Sequence, residues 1–160
     1  MGWFLEVGVL IIAYVLWLKL LDKRRATELL LIGSLTAMVK TVNIIVLGTL
    51  LGFVDYQVRL FPITTNIFVT SVTVSPIIVM LSEQYSSSWG GYMLRSAIGY
   101  AILNFILFPI YTLVGALQFH NWNVFYYFLV LYSWGLVVRL VFLWIEGIKK
   151  RSLSEKKANA

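Results

Sequence analysis

The sequence predicts an all-α membrane protein, a bundle of five transmembrane helices with the N-terminus outside and the C-terminus in the cytoplasm. Three observations carry that expectation. Apolar stretches at about residues 2–21, 29–53, 63–81, 96–119 and 124–145 are each long enough to cross the ~30 Å hydrocarbon core at ~1.5 Å per residue. The chain is 60% hydrophobic and 12% charged, with a mean hydropathy of +0.86, whereas a soluble domain averages about 25% charged residues. The charge that remains sits in the joints, and its positive part falls on one side.

The first stretch opens Met1-Gly2-Trp3-Phe4-Leu5-Glu6, without a basic leader, and closes in Lys19, Asp22 and Lys23 rather than in a small-residue cleavage site. It is therefore expected to stay in the membrane. The second stretch carries Lys40, ~18 Å beyond Glu28 at the helical rise. Thr36 and Asn43, four residues before and three after, share the Lys40 face. In the third, Asn66, Thr70 and Thr73 recur at helical spacing, and Pro76 leaves the Val72 carbonyl without its usual donor. The joint 82–92, with the run Ser86-Ser87-Ser88 and the pair Gly90-Gly91, reads as a plain flexible loop, because no strand or lysine motif accompanies it as a phosphate loop requires. In the fourth stretch Asn104 lies ~14 Å from Arg95, and Pro109 frees the Phe105 carbonyl. The fifth carries Arg139, ~15 Å before Lys149. Residues 149–160 form a polar basic tail, expected to be solvated and mobile.

Orientation follows from the thirteen Lys and Arg. Lys40 and Arg139 lie within spans. With alternating spans Arg59 stands alone on one side, and the remaining ten share the other: Lys19, Lys23, Arg24, Arg25, Arg95 and the five of the tail. The excess of positive charge marks the cytoplasmic face. Aromatic residues agree with that frame: Trp3, Tyr56, Phe119, Trp122, Tyr126 and Tyr127 fall at outer ends, and Tyr85, Trp89, Tyr92 and Trp144 at inner ends.

The net charge of +6 does not point to nucleic acid, because the basic residues flank spans, where they meet anionic headgroups. Cysteine is absent, which excludes disulfides and thiolate chemistry. His120 is the sole histidine, so neither a metal nor another cofactor is expected. The expected partners are membrane lipids and either further copies of this chain or another membrane protein. A homodimer would supply the symmetry that five spans cannot hold within one chain.

Lys40 and Arg139 are the most informative residues, since a cation at mid-membrane costs about 2.5–3.5 kcal/mol on insertion scales. With Asn43, Asn66, Thr70, Thr73 and Asn104 they would line one polar layer near mid-membrane that binds a ligand. Every carboxylate lies near a span end, in a joint or in the tail, so no ion pair is expected for Lys40 at its own depth, which leaves an uncharged amine, solvation by freed carbonyls and amides, or an anionic ligand. Arg139 is expected to lean toward Glu146 on its own helix. Asparagine and threonine within spans also serve as hydrogen-bonding glue between helices, and prolines there as simple kinks. Asp55, Arg59 and His120 form a second candidate cluster at the outer surface, while Asn121 or Asn123 suits the N-cap of the last helix.

Arg59-Leu60-Phe61-Pro62 before the third span, and Phe119-His120-Asn121-Trp122-Asn123 before the fifth, resemble the pattern of a group of small multi-span membrane proteins from endospore-forming bacteria. The resemblance covers about the last two-thirds of the chain. It implies topology and no mechanism. The group carries a glycine before the tryptophan, where this chain has Asn121, and Lys40 is outside the shared pattern.

Three functional readings follow. The first is a non-enzymatic accessory or assembly subunit of a bacterial inner membrane, closely packed through glycines such as Gly33, Gly48, Gly52, Gly99, Gly115 and Gly135. The second is a small anion or polar-solute transporter or channel subunit using Lys40 and Arg139. The third is a membrane-embedded lipid-modifying enzyme drawing on Asp55, Arg59 and His120; the first two assign no catalytic residue.

Overall fold

The computed structural model describes the backbone of residues 2–56, 59–61, 64–65, 67–115, 117–120 and 122–158, and side-chain surroundings at 4, 7–47, 50–54, 73–115, 117–120, 122–152 and 154. Helix α1 (Gly2–Leu20) leads through a 3-10 turn (Lys23–Arg25) into α2 (Ala26–Ile44), which widens into a π-type segment, Ile45–Leu50. Short strands β1 (Val54–Tyr56), β2 (Arg59–Phe61) and β3 (Thr64–Thr65) precede α3 (Ile67–Gln84). Helix α4 (Trp89–Ile102) widens in turn over Leu103–Leu107 and continues as α5 (Phe108–Leu113). Strand β4 (Leu117–Phe119) and the long α6 (Val124–Ala158) complete the chain.

Among the described residues three helical rods, Lys23–Leu47, Trp89–Leu113 and Val124–Ser152, are long and apolar enough to cross a membrane, and Val7–Leu20 is a shorter apolar helix. Several boundaries differ from the sequence reading. Helix α4 starts at Trp89, not at Ser96, because Ser88 caps it: the Gly91 amide donates to the Ser88 hydroxyl at 3.2 Å. Gly90 and Gly91 are therefore the first helical turn, and the flexible joint shrinks to 85–88. The fourth stretch ends its helix at Leu113, and Leu117–Phe119 is a strand instead. The basic tail, expected to be mobile, extends α6 as far as Ala158; Lys149, Lys150 and Arg151 are exposed on it.

The π-type segment in α4 has a cause in the sequence. Pro109 has no N–H for the Phe105 carbonyl, and its ring crowds that oxygen, so the turn before it opens. The helical segments before β1 and before β4 both end at a left-handed glycine, Gly52 (φ 62°) and Gly115 (φ 70°), a conformation that other residues adopt only with strain. Each glycine turns the chain toward a strand. β1 and β4 then pair antiparallel, with Val54 opposite Phe119 and Asp55 opposite Gln118, and the His120 amide donates to the Phe53 carbonyl at 2.9 Å. This pairing gives an otherwise helical fold its one long-range sheet contact among the described residues.

Helix α3 is the centre of the bundle, packed against α1, α2 and α4. Its side toward α4 buries Ser75, Val79 and Ser82, and its side toward α1 and α2 buries Ile77 and Met80. At one end of α3, Gln84 ties the first turn of the bundle together. Its amide donates to the Leu20 carbonyl at 2.7 Å and its oxygen accepts from the Asp22 amide at 2.9 Å. The ends of α1 and α3 and the starts of α2 and α4 thus meet, and this end gathers Lys19, Lys23, Arg24, Arg25 and Arg95.

Candidate functional site

Lys40 points into the bundle. It is 1% exposed, its ammonium stands 5.4 Å from the centre of the Tyr100 ring, and among the described residues no hydrogen-bond partner reaches it. Attraction to the ring face offsets part of the burial cost, up to about 2 kcal/mol in a desolvated setting, but it leaves the three N–H donors unused.

Among the described residues, four more unsatisfied polar atoms lie on the helices around it. They are Asn43 Nδ2, one turn along α2; the Ser75 hydroxyl on α3; the Tyr100 hydroxyl on α4; and Asn104 Oδ1, one turn beyond Tyr100. The Ser75 and Tyr100 hydroxyls lie side by side without the alignment of a hydrogen bond. Asn104 Nδ2 is already committed, donating to the Tyr100 carbonyl at 2.7 Å where the helix begins to widen. What remains is an ammonium and an amide nitrogen that can only donate, two hydroxyls that can donate or accept, and one amide oxygen that can only accept. Buried polar groups are almost always paired, so this concentration of orphans is unusual. A cluster rich in donors and carrying a positive charge has the chemistry to hold an anion.

Arg139 belongs to a different place. Its Nε stands 2.8 Å from Glu83 Oε2 at the end of α3, an ion pair whose N–H is off the line of a hydrogen bond. Its Nη1 donates to the Ser88 carbonyl at 3.3 Å, and its guanidinium carbon lies 4.6 Å from the Trp89 ring centre and 4.3 Å from that of Tyr92. The expected lean toward Glu146 is corrected: Glu146 stands two turns up α6, whereas Glu83 is delivered alongside by α3. The single polar layer is corrected too. Ser75 and Glu83, like Tyr100 and Tyr92, are separated by eight residues, so the two cations lie ~12 Å apart in depth.

Of the other candidates, Thr36 donates to the Ile32 carbonyl at 2.8 Å and Thr73 lines a groove between α1, α2 and α3. The side chains of Asn66 and Thr70 lie outside the described residues, as do those of Asp55 and Arg59. His120 is exposed beside β4. Asn123, one of the two asparagines suited to the place, caps α6, its Oδ1 accepting from the Tyr126 amide at 3.0 Å.

Sequence reasoning missed Ser75, Tyr100 and Glu83. Tyr100 had a signal, since it precedes Asn104 by four residues and so shares its face. Ser75 had none, being off the Asn66–Thr70–Thr73 stripe. Glu83 was set aside because it closes a span. No family model, no curated protein and no solved structure matches this chain.

Proposed function

We propose that this chain is an integral protein of a bacterial inner membrane that crosses the bilayer five times, N-terminus outside, and takes a small anion into its helix bundle at Lys40, as a carrier or channel subunit. One observation carries the reading: the Lys40 ammonium is buried with no carboxylate or hydrogen-bond acceptor on it among the described residues, and unsatisfied donors of Asn43, Ser75 and Tyr100 lie on the helices about it. An anion would give that charge its counter-ion and those donors an acceptor. Arg139 is excluded from the ligand set, because Glu83 already neutralises it.

The test is flux. Purified protein in liposomes is expected to pass small monovalent anions, and Lys40→Met, folded by circular dichroism, is expected to lose that flux at least tenfold. Flux that survives the substitution sinks the reading. A folded wild-type protein with no flux for any anion or neutral solute would favour the accessory-subunit reading instead. That second reading has its own support in α1, whose Phe4, Ile11, Ile12, Val15 and Leu18 are exposed, an apolar face open to a neighbouring helix.

A further inference from the structure

The groove between α3 and α4 is independent of the Lys40 cluster. It has a volume of about 340 Å³, and its walls include Ile78, Leu81 and Ile98. Arg95 lines it as well, with the buried Ser82 and the exposed Tyr85. Two of the arginines near this end already have carboxylates: Arg25 lies 3.2 Å from Glu28, and Arg139 lies 2.8 Å from Glu83. Arg95 is exposed and has no carboxylate among the described residues, only the Ser86 hydroxyl at 3.4 Å. A planar guanidinium with donors to spare is suited to a phosphate, which it can grip with two parallel N–H groups.

The surface beyond Arg95 is apolar. Ile98 and Ile102 follow on the same face of α4, both about half exposed, and lead away from the basic end toward the middle of the rod. Phosphate at one end and hydrocarbon along the rest describes a phospholipid rather than a free phosphate ion. Among the described residues no acidic side chain lines the groove, so the cationic headgroup of a zwitterionic lipid would find no partner there. We propose that this groove holds one anionic phospholipid, its phosphate on Arg95 and an acyl chain along Ile98 and Ile102.

Titration with phosphatidylglycerol and with phosphatidylcholine, read by native mass spectrometry of the protein in mild detergent, tests this. The wild-type chain is expected to retain one phosphatidylglycerol about tenfold more tightly than phosphatidylcholine. Arg95→Gln, an exposed change whose folding circular dichroism would check, is expected to abolish that preference. Lys150→Gln, on the exposed stretch of α6 outside the groove, is expected to leave it intact. Three results would each overturn the proposal: a preference unchanged in Arg95→Gln, an equal loss in Lys150→Gln, or displacement of the lipid by inorganic phosphate as effective as displacement by phosphatidylglycerol itself. The first two would mean diffuse attraction to a basic surface, and the third a site for the free ion.

Discussion

Arg139 on α6 and Glu83 on the last turn of α3 meet at 2.8 Å, with side chains only 6% and 7% exposed. The guanidinium also lies over the rings of Trp89 and Tyr92 at the start of α4. Three helices are therefore joined through one side chain. Removing one partner of such a pair strands a buried charge, which costs more than the pair itself contributes. Glu83→Ala is expected to destabilise the protein by about 3–5 kcal/mol, measured by unfolding in detergent. Replacing both residues, as Glu83→Leu with Arg139→Met, should recover most of that loss. A double variant no more stable than Glu83→Ala would show that the pair is not the reason.

Lys40 gives the opposite expectation. Its charge is buried and unpaired among the described residues, so the fold is held against it. Lys40→Met keeps most of the length of the side chain and removes the ammonium, and should stabilise the protein by about 2–3 kcal/mol, the order of the insertion cost of a central cation. The melting temperature in anion-free buffer reports it. A lower melting temperature would mean that Lys40 has a structural partner after all.

Close approach of α4 and α6 depends on Gly135. A Cβ there would meet the Tyr100 ring at 2.9 Å and its hydroxyl at 3.4 Å, and the Gly135 carbonyl accepts from the Tyr92 hydroxyl at 2.8 Å. Gly135→Ala should cost about 1–3 kcal/mol, the usual penalty of overpacking. On the same helix nothing lies within 4 Å of a Cβ at Gly147, so Gly147→Ala should be neutral or stabilising by up to about 1 kcal/mol. Equal thermal shifts for the two variants would contradict the close contact.

Ser88 sets where α4 begins, and its carbonyl also receives Arg139. Ser88→Ala removes only the hydroxyl that caps the Gly91 amide, and is expected to cost about 1 kcal/mol. Hydrogen exchange should quicken at residues 89–91 before it does elsewhere in α4. Unchanged exchange there would place the start of the helix under some other control.

Much of the architecture is legible in the chain itself. Runs of apolar residues set the helices, because a backbone that leaves water must bond within itself. Pro109 marks the place where α4 widens and Asn123 the start of α6, whereas Gly52 and Gly115, expected to bring helices close, instead end helical segments with nothing within 4 Å of a Cβ. The gathering of basic residues at one end can be counted directly. These are local effects, each decided by a residue and its neighbours along the chain.

The candidate site was legible only in part. Lys40, Asn43 and Asn104 stand out as polar residues in apolar surroundings, and their depth follows from the helical rise. Which of them share a place depends on how far each helix is rotated about its axis. A helix that is apolar nearly all round carries little record of that rotation in its sequence. Packing against α3 brings Ser75 and Tyr100 to the Lys40 level, and Glu83, not Glu146, to Arg139. Depth and element were written in the order of residues; azimuth and partnership were decided only when the helices closed on one another, because side-chain interdigitation, and not local preference, chooses which faces meet.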